Sequence, residues 1–260
     1  MTISYEHNVK LHSCYLANMY CGDTTVEDYL KARGFTSDTI ASFRIGCTTS
    51  RRIAFPICDC KGNILGFQTR VAGENYEGGK KYVNSPNSDI FTKSHCLFGH
   101  DVARKITTPE LYVVEGNFDV MRMHQMGHIN TVGIMGSNMS DRQAYEISIM
   151  SKDVCLMFDG DKSGMDGMCD AYEKLLKHKC RVTAIVLEDG QDPDTFLQSG
   201  TPTPERHDMM DVYLHEKALK QNLETFVGRY KYILSIVGIY GYHPDKDRCL
   251  ERIKEVVNAV

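Results

Sequence analysis

From Leu111 onward the chain alternates between two hydrophobic periods. Leu111–Val114, Asn130–Ile134, Val154–Phe158 and Arg181–Leu187 are short apolar runs of strand length. Between them, Phe118–Met126, Ser140–Met150 and Asp166–His178 have helical spacing, and Pro193–Gln198 adds a short helix. The order βαβαβαβ predicts a parallel sheet covered by helices. Upstream, Arg51–Ile57 and Ile64–Ala72 flank the turn CDCKGN and predict an antiparallel hairpin. Gly78-Gly79 and Asn84-Ser85-Pro86-Asn87 are loop signals around KKYVN. Further upstream, Thr24-Thr25 caps a helix VEDYLKAR that stops at Gly34, and Thr36-Ser37-Asp38 starts TIASFRI, which ends at Gly46. Residues 1–30 read as helical, but weakly so. TPTPE at 201–205 predicts a linker, and 206–260 a mostly helical segment broken by Gly238, Gly241 and Pro244. The expected organisation is an α+β subdomain over 1–105, an α/β domain over 106–200 and a helical subdomain over 205–260.

The stretch VCLMFDGDKSG, Val154 to Gly164, carries the most chemistry. Its strand ends in Asp159 and Asp161, with Gly160 between them. Side chains at i and i+2 of a strand point the same way, so both acids are expected to leave the strand tip together. Two such acids suit a hard divalent cation that shares its oxygen ligands with phosphates. Two other readings stay open. Asp159, Asp161, Ser163, Gly164 and Asp170 fall at EF-hand loop positions, but the preceding run is a strand, Asp166 stands where an apolar residue belongs, and Asp170 replaces the usual Glu. A solvated acidic turn is the plainer alternative.

Two more strand ends carry acids. Glu115 follows LYVV, with Asp119 four residues on, and Asp192 and Asp194 follow AIVLEDGQ. A parallel sheet puts such ends on one edge, where ligand sites of open α/β sheets lie. Six clustered carboxylates repel one another unless cations bind among them, and two ions could serve an in-line displacement on a triphosphate. Asp119 and Asp194 have an equal alternative as helix N-terminal acids, and Glu188 and Asp189 read as turn acids.

Composition changes little: 42% apolar and 25% charged residues mark a globular chain with a sizeable core. MTISYEHNVK is not a signal peptide, and the longest uncharged apolar run, Tyr232–Tyr242, is too short to span a bilayer. Ten cysteines without a CxxC pair suggest a reducing compartment. The net charge of −4 hides an asymmetry. Lys31–Lys105 holds 12 Lys/Arg against 6 Asp/Glu, and Ile106–Gly200 holds 8 against 15. The first segment could track phosphates, and the second could hold the cations that neutralise them. His7, His12, Cys14 and Cys21 lack zinc-finger spacing. His124 and His128 lack a general-base Glu between them, and His95, Cys96 and His100 read as a structural loop cluster.

VVEGNFDV, FDGDKSG and EDGQDPDTF, in this order and spacing, resemble the Toprim domain. With YLKARGFTSDTIASFRIG, RRIAFPICDCKGNILGFQTRV and KKYVNSPNSDIFTKSHCLFG upstream, roughly residues 5–200 resemble the catalytic core of a DnaG-type primase. The fold this implies is a Toprim-type parallel sheet covered by helices, with an N-terminal mixed α+β subdomain and a C-terminal helical segment. Carried over, Glu115, Asp119, Asp159, Asp161, Asp192 and Asp194 match the metal-binding acids, with Glu115, Asp159 and Asp161 as the catalytic set. Arg52, Arg70, Lys81, Asn84 and Lys93 match positions that bind nucleotide phosphates and template, and Gly136-Ser137 matches a turn of the Toprim fold. The activity implied is RNA primer synthesis from NTPs on single-stranded DNA with two or three Mg²⁺ or Mn²⁺.

Departures from the family pattern bear on partners. Asn117-Phe118 stands where Tyr-Met is usual, which alters packing beside Glu115 but removes no ligand. There is no N-terminal zinc ribbon, so no zinc is expected, and no GxxxxGK[ST] helicase motif. A replicative helicase and a separate zinc-ribbon or accessory protein are the expected partners, in the cytoplasm of a bacterium or of a phage-infected one, with no membrane. A Toprim nuclease would share the acids without needing the Arg51–Lys93 module. A non-catalytic replisome subunit that binds nucleic acid and helicase would be expected to lack some of the acids. A type IA topoisomerase is disfavoured because no nucleophilic-tyrosine domain follows.

Overall fold

The computed structural model describes residues 4–21, 24–73, 79–104, 109–200, 205–220, 236, 239, 242–243 and 245–258. Most of the expected linker at 201–205, the expected boundary at 105–106, Gly78 and the breakers Gly238, Gly241 and Pro244 lie outside the described residues. The helices are α1 (Tyr5–Cys21), α2 (Thr25–Ala32), α3 (Ser37–Ser42), α4 (His100–Ala103), α5 (Asn117–Gln125), α6 (Asp141–Met150), α7 (Lys162–Lys177), α8 (Pro193–Gln198), α9 (Met209–Lys220) and α10 (Lys246–Asn258). The strands are β1 (Gly46–Cys47), β2 (Arg52–Cys58), β3 (Ile64–Val71), β4 (Tyr82–Asn84), β5 (Glu110–Val114), β6 (Thr131–Gly133), β7 (Asp153–Leu156), β8 (Arg181–Ile185) and β9 (Arg206–Asp208). This is a mixed α/β fold with a helical C-terminal segment. Two compact units share it: 1–108 with 114–136 and 192–201, and 109–113 with 137–191 and 202–260.

The first unit is built on the antiparallel sheet β1-β2-β3-β4. The β2–β3 hairpin closes where Asp59 Oδ1 accepts the Lys61 and Asn63 N–H groups and Gly62 takes a positive φ of 87°. Phe55, on β2, meets Phe98 edge-on at 5.8 Å and Phe118 at 5.4 Å, and Phe43 stacks on Phe98 at 5.3 Å. Each such ring, withdrawn from water, contributes about 1.5–3 kcal/mol. Helix α1 docks through Asn8, whose Nδ2 donates to the Ile64 and Leu65 carbonyls. Gly133 on β6 bridges Phe98, and the Ile134 N–H donates to the Val114 carbonyl at 3.1 Å.

In the second unit β5, β7 and β8 run parallel, with Leu111 opposite Val154 and Val154 opposite Val182. β9 joins antiparallel, His207 opposite Ala184. Tyr172, Leu175 and Leu176 of α7 are fully buried, and Tyr172 packs on Tyr213 of α9 at 5.4 Å.

The fold differs from the sequence expectation at four places. β1 and β4 are short strands where a helix end and a loop-bounded polar run were expected; backbone pairing to β2 and β3 makes them. β9 is polar (RHD) within a segment read as helical, and it is held by its ladder with β8 and by Arg206 bonded to Glu110 at 2.5 Å and to the Tyr112 hydroxyl. β7 ends at Leu156, so Asp159 and Asp161 do not extend from a strand tip as an i, i+2 pair; Asp161 caps α7 instead. The ten cysteines, all within the described residues, are free thiols. Among the described residues no helix is long and apolar enough to cross a membrane.

Candidate active site

In the first unit Glu115 follows β5 half-buried, and its carbonyl accepts the Gly136 N–H at 3.1 Å. Gly116 then caps α5, where Asp119 Oδ2 accepts the Gly116 N–H at 2.8 Å. Asp119 Oδ1 also accepts the Asp194 N–H at 3.3 Å, so this 7%-exposed carboxylate joins the starts of α5 and α8. Asp194 is 1% exposed. It accepts from Arg33 at 2.5 Å, Arg122 at 2.7 Å and Gln198 at 2.9 Å. Arg122 also donates to the carbonyls of Arg33 and Gly34. Burial works against the Arg33 charge, yet its bond to Asp194 and their attraction hold its pKa above the ordinary value. Asp119 and Asp194, expected among the metal ligands, are thus engaged in caps and a buried ion network. Asp192 caps α8 through the Thr195 N–H at 2.7 Å and stays partly exposed.

The basic positions divide the same way. Arg70, 4% exposed, donates to the Tyr29 hydroxyl at 2.7 Å and lies 4.7 Å above the Phe118 ring. Arg33 lies 4.6 Å from the same ring, so Phe118 sits against two guanidinium groups. Burial pushes the Tyr29 phenol up, but hydrogen bonds and charge from Arg70 and Arg33 outweigh it and leave the pKa lowered. Arg52 ties β2 to β3 and to the residues just before β4 by donating to Thr69 Oγ1 and to the Lys80 and Lys81 carbonyls. Lys81 and Asn84 are exposed, and half-buried Lys93 has its pKa lowered by burial. A Cβ at Gly136 would lie 3.2 Å from Lys93 Nζ, which places that ammonium against the turn after β6.

In the second unit Asp159 and Asp161 flank a pinned glycine. The Gly160 N–H donates to the Gln191 carbonyl at 2.8 Å, and a Cβ there would lie 1.9 Å from the Glu188 carbonyl oxygen. Asp161 Oδ1 accepts the Gly164 N–H at 2.7 Å as the cap of α7, while the residue remains exposed. Beside them lies a cavity of about 330 Å³ lined by Phe158, Asp159, Asp161, Met165, Leu187 and Glu216. The Gly136-Ser137 turn also has a packing reason, since a Cβ at Gly167 of α7 would lie 2.1 Å from the Ser137 carbonyl.

Sequence reasoning missed Arg33, Arg122, Tyr29 and Gln68, and noted Asn117 only as a departure from the family pattern. Of the four missed residues only Arg122 had a local signal, one helical turn after Asp119. His124 and Cys96, weighed as metal ligands, hydrogen-bond the carbonyls of Thr131 and Thr92.

Two family models match separate stretches: DNA primase catalytic core, N-terminal domain, over residues 47–104, and Toprim-like over residues 112–197. The DNA primase of Aquifex aeolicus (strain VF5) is 32% identical over 218 residues, 82% of this chain and 43% of that protein. That of Geobacillus stearothermophilus is 30% identical over 211 residues, covering 66% and 35%. Among solved structures, the DnaG catalytic core superposes with a TM-score of 0.79 at 24% identity, covering 98% of this chain and 96% of that one. The chain belongs to the family of DnaG-type primase catalytic cores with a Toprim domain. A DnaG primase catalytic domain bound to ssDNA shares the fold at TM-score 0.83 and 23% identity, covering 98% and 97%. The chain spans less than half the length of these curated relatives.

A Toprim domain implies divalent-metal binding. The residues present fit it: the donors are hard carboxylate oxygens, and the pinned Gly160 fixes the backbone between Asp159 and Asp161. Among the described residues no three His, Cys, Asp or Glu side chains form a ready-made metal cage.

Proposed function

We propose that this chain makes short RNA primers on single-stranded DNA by nucleotidyl transfer. The observation that carries the reading is the coexistence in one chain of a primase-specific N-terminal match and a Toprim match with Glu115, Asp159 and Asp161 all present. The relatives are titled DNA primases, and one neighbour in fold is titled as bound to ssDNA. Glu115, Asp159 and Asp161 are the acids proposed to hold Mg²⁺ or Mn²⁺, with Asp192 in support. When bound, the cations neutralise the triphosphate and favour attack by the 3′-hydroxyl on the α-phosphate. Lys81, Asn84 and Lys93 bind phosphates of nucleotide or template. Arg52 and Arg70 act indirectly, by fixing β3, β4 and α5. Asp119 and Asp194 hold the turns that carry Glu115 and Asp192. Single-stranded DNA and a replicative helicase are the proposed partners, and the bacterial cytoplasm the proposed location.

The test is to incubate the chain with end-labelled single-stranded DNA, ribonucleotides and Mg²⁺ or Mn²⁺. New short RNA over intact DNA supports the reading. Shortened DNA without new RNA replaces it with a Toprim nuclease.

A further inference from the structure

Three amide side chains of the first unit are joined head to tail. Asn117, 1% exposed at the start of α5, donates from Nδ2 to Gln68 Oε1 at 2.9 Å. Gln68, 4% exposed on β3, donates from Nε2 to Asn84 Oδ1 at 3.0 Å. Gln68 and Asn84 face each other across the β3–β4 ladder, and Asn84 is exposed. Among the described residues Asn117 Oδ1, which is buried, has no hydrogen-bond partner, so the inner end is a terminus there and the outer end faces solvent.

An amide has one acceptor oxygen and one NH2 donor, so a head-to-tail chain has a direction. Here Gln68 takes the oxygen of Asn84 and leaves its NH2 to point outward. Untethered, Asn84 could present either end by rotating about χ2. Held this way it is a donor. A phosphate oxygen accepts from it, and a hydrogen-bond acceptor facing the same phosphate would repel it. The relay is shielded from water at Gln68 and Asn117, which strengthens its bonds.

We infer that Gln68, anchored by Asn117, is a positioning residue that fixes Asn84 with its NH2 toward a phosphate oxygen of the incoming nucleotide or of the template strand. The inference rests on the primase reading and adds to it the residue that sets the polarity of one of its binding groups.

Gln68→Glu tests it. A carboxylate there accepts from both neighbours, so Asn84 turns over and offers its oxygen outward. KM for ribonucleotide should rise about tenfold with kcat within about twofold if the phosphate is the nucleotide's. Affinity for single-stranded DNA should fall by a similar factor if it is the template's. Volume-conserving Gln68→Met, which removes the tether without adding charge, should show a smaller shift in the same quantity. Melting temperatures of all variants separate binding from folding. The decisive comparison is Gln68→Glu in an Asn84→Ala background. No further loss there supports action through Asn84. The same loss in both backgrounds, or none in the wild-type background, overturns the relay. A wild-type chain that binds neither nucleotide nor DNA overturns the primase reading itself, and the relay with it.

Discussion

Asp194→Asn separates a structural acid from a metal-holding one. The substitution keeps the side-chain volume and removes the charge that balances Arg122, 4% exposed, and Arg33, 23% exposed. Breaking a buried ion pair from one side costs about 3–5 kcal/mol, because the partner charge stays buried. The amide retains one acceptor oxygen for Arg122, which favours the low end, about 3 kcal/mol. For a chain of this size that is a fall in Tm of roughly 6–12 °C. The assay is urea denaturation and thermal melting in EDTA, with Asp161→Asn in parallel. Asp161 is exposed and caps α7, so its loss is expected to cost no more than about 1 kcal/mol. Unchanged stability of Asp194→Asn in EDTA, together with a lost Mg²⁺-dependent rise in Tm, would refute the ion-network assignment and return Asp194 to the metal ligands.

Other outcomes follow from the same geometry. Gly160→Ala puts a Cβ 1.9 Å from the Glu188 carbonyl, so the Asp159–Asp161 turn must shift; primer synthesis should fall at least about tenfold while the melting curve stays cooperative. Burial lowers the pKa of His124 and of His12 below the ordinary 6.5. Between that value and their folded values only the unfolded state takes up the proton, so stability should drop as pH falls from about 6.5 and level off below the folded values. Urea titrations from pH 7.5 to 5 should show this slope, reduced in His124→Gln with His12→Gln. Lys81→Gln should lower the salt dependence of single-stranded DNA binding by about 0.7 in log–log slope, the loss of one phosphate contact, measured by fluorescence anisotropy.

The parallel order of β5, β7 and β8 was legible because each strand is a short apolar run between helical periods. The pairing partners were not. β9 has no apolar pattern, and its strand character comes from the β8 backbone and the Arg206–Glu110 pair. The six acids were visible as motifs, but their division into structural and candidate metal-holding groups was not. Asp194 is set apart by Arg33 and Arg122, which lie 161 and 72 residues away in the chain. Arg70 was expected among the groups that bind nucleotide phosphates and template, and only the packing of Tyr29, Tyr82 and Phe118 around it reveals its burial. Asn117-Phe118, a visible departure from the family pattern, has its reason in space: Phe118 receives two guanidinium groups, and Asn117 joins the amide chain through Gln68.

The central claim is templated RNA synthesis dependent on the Toprim acids. The measurement that tests it most directly is sequencing of the short RNA made by the wild-type chain and by Asp159→Ala on single-stranded DNA of defined sequence. Short RNA complementary to the template from the wild type, and none from the variant, is the predicted result. No RNA from the wild type, RNA unrelated to the template, or equal products from both chains would contradict it.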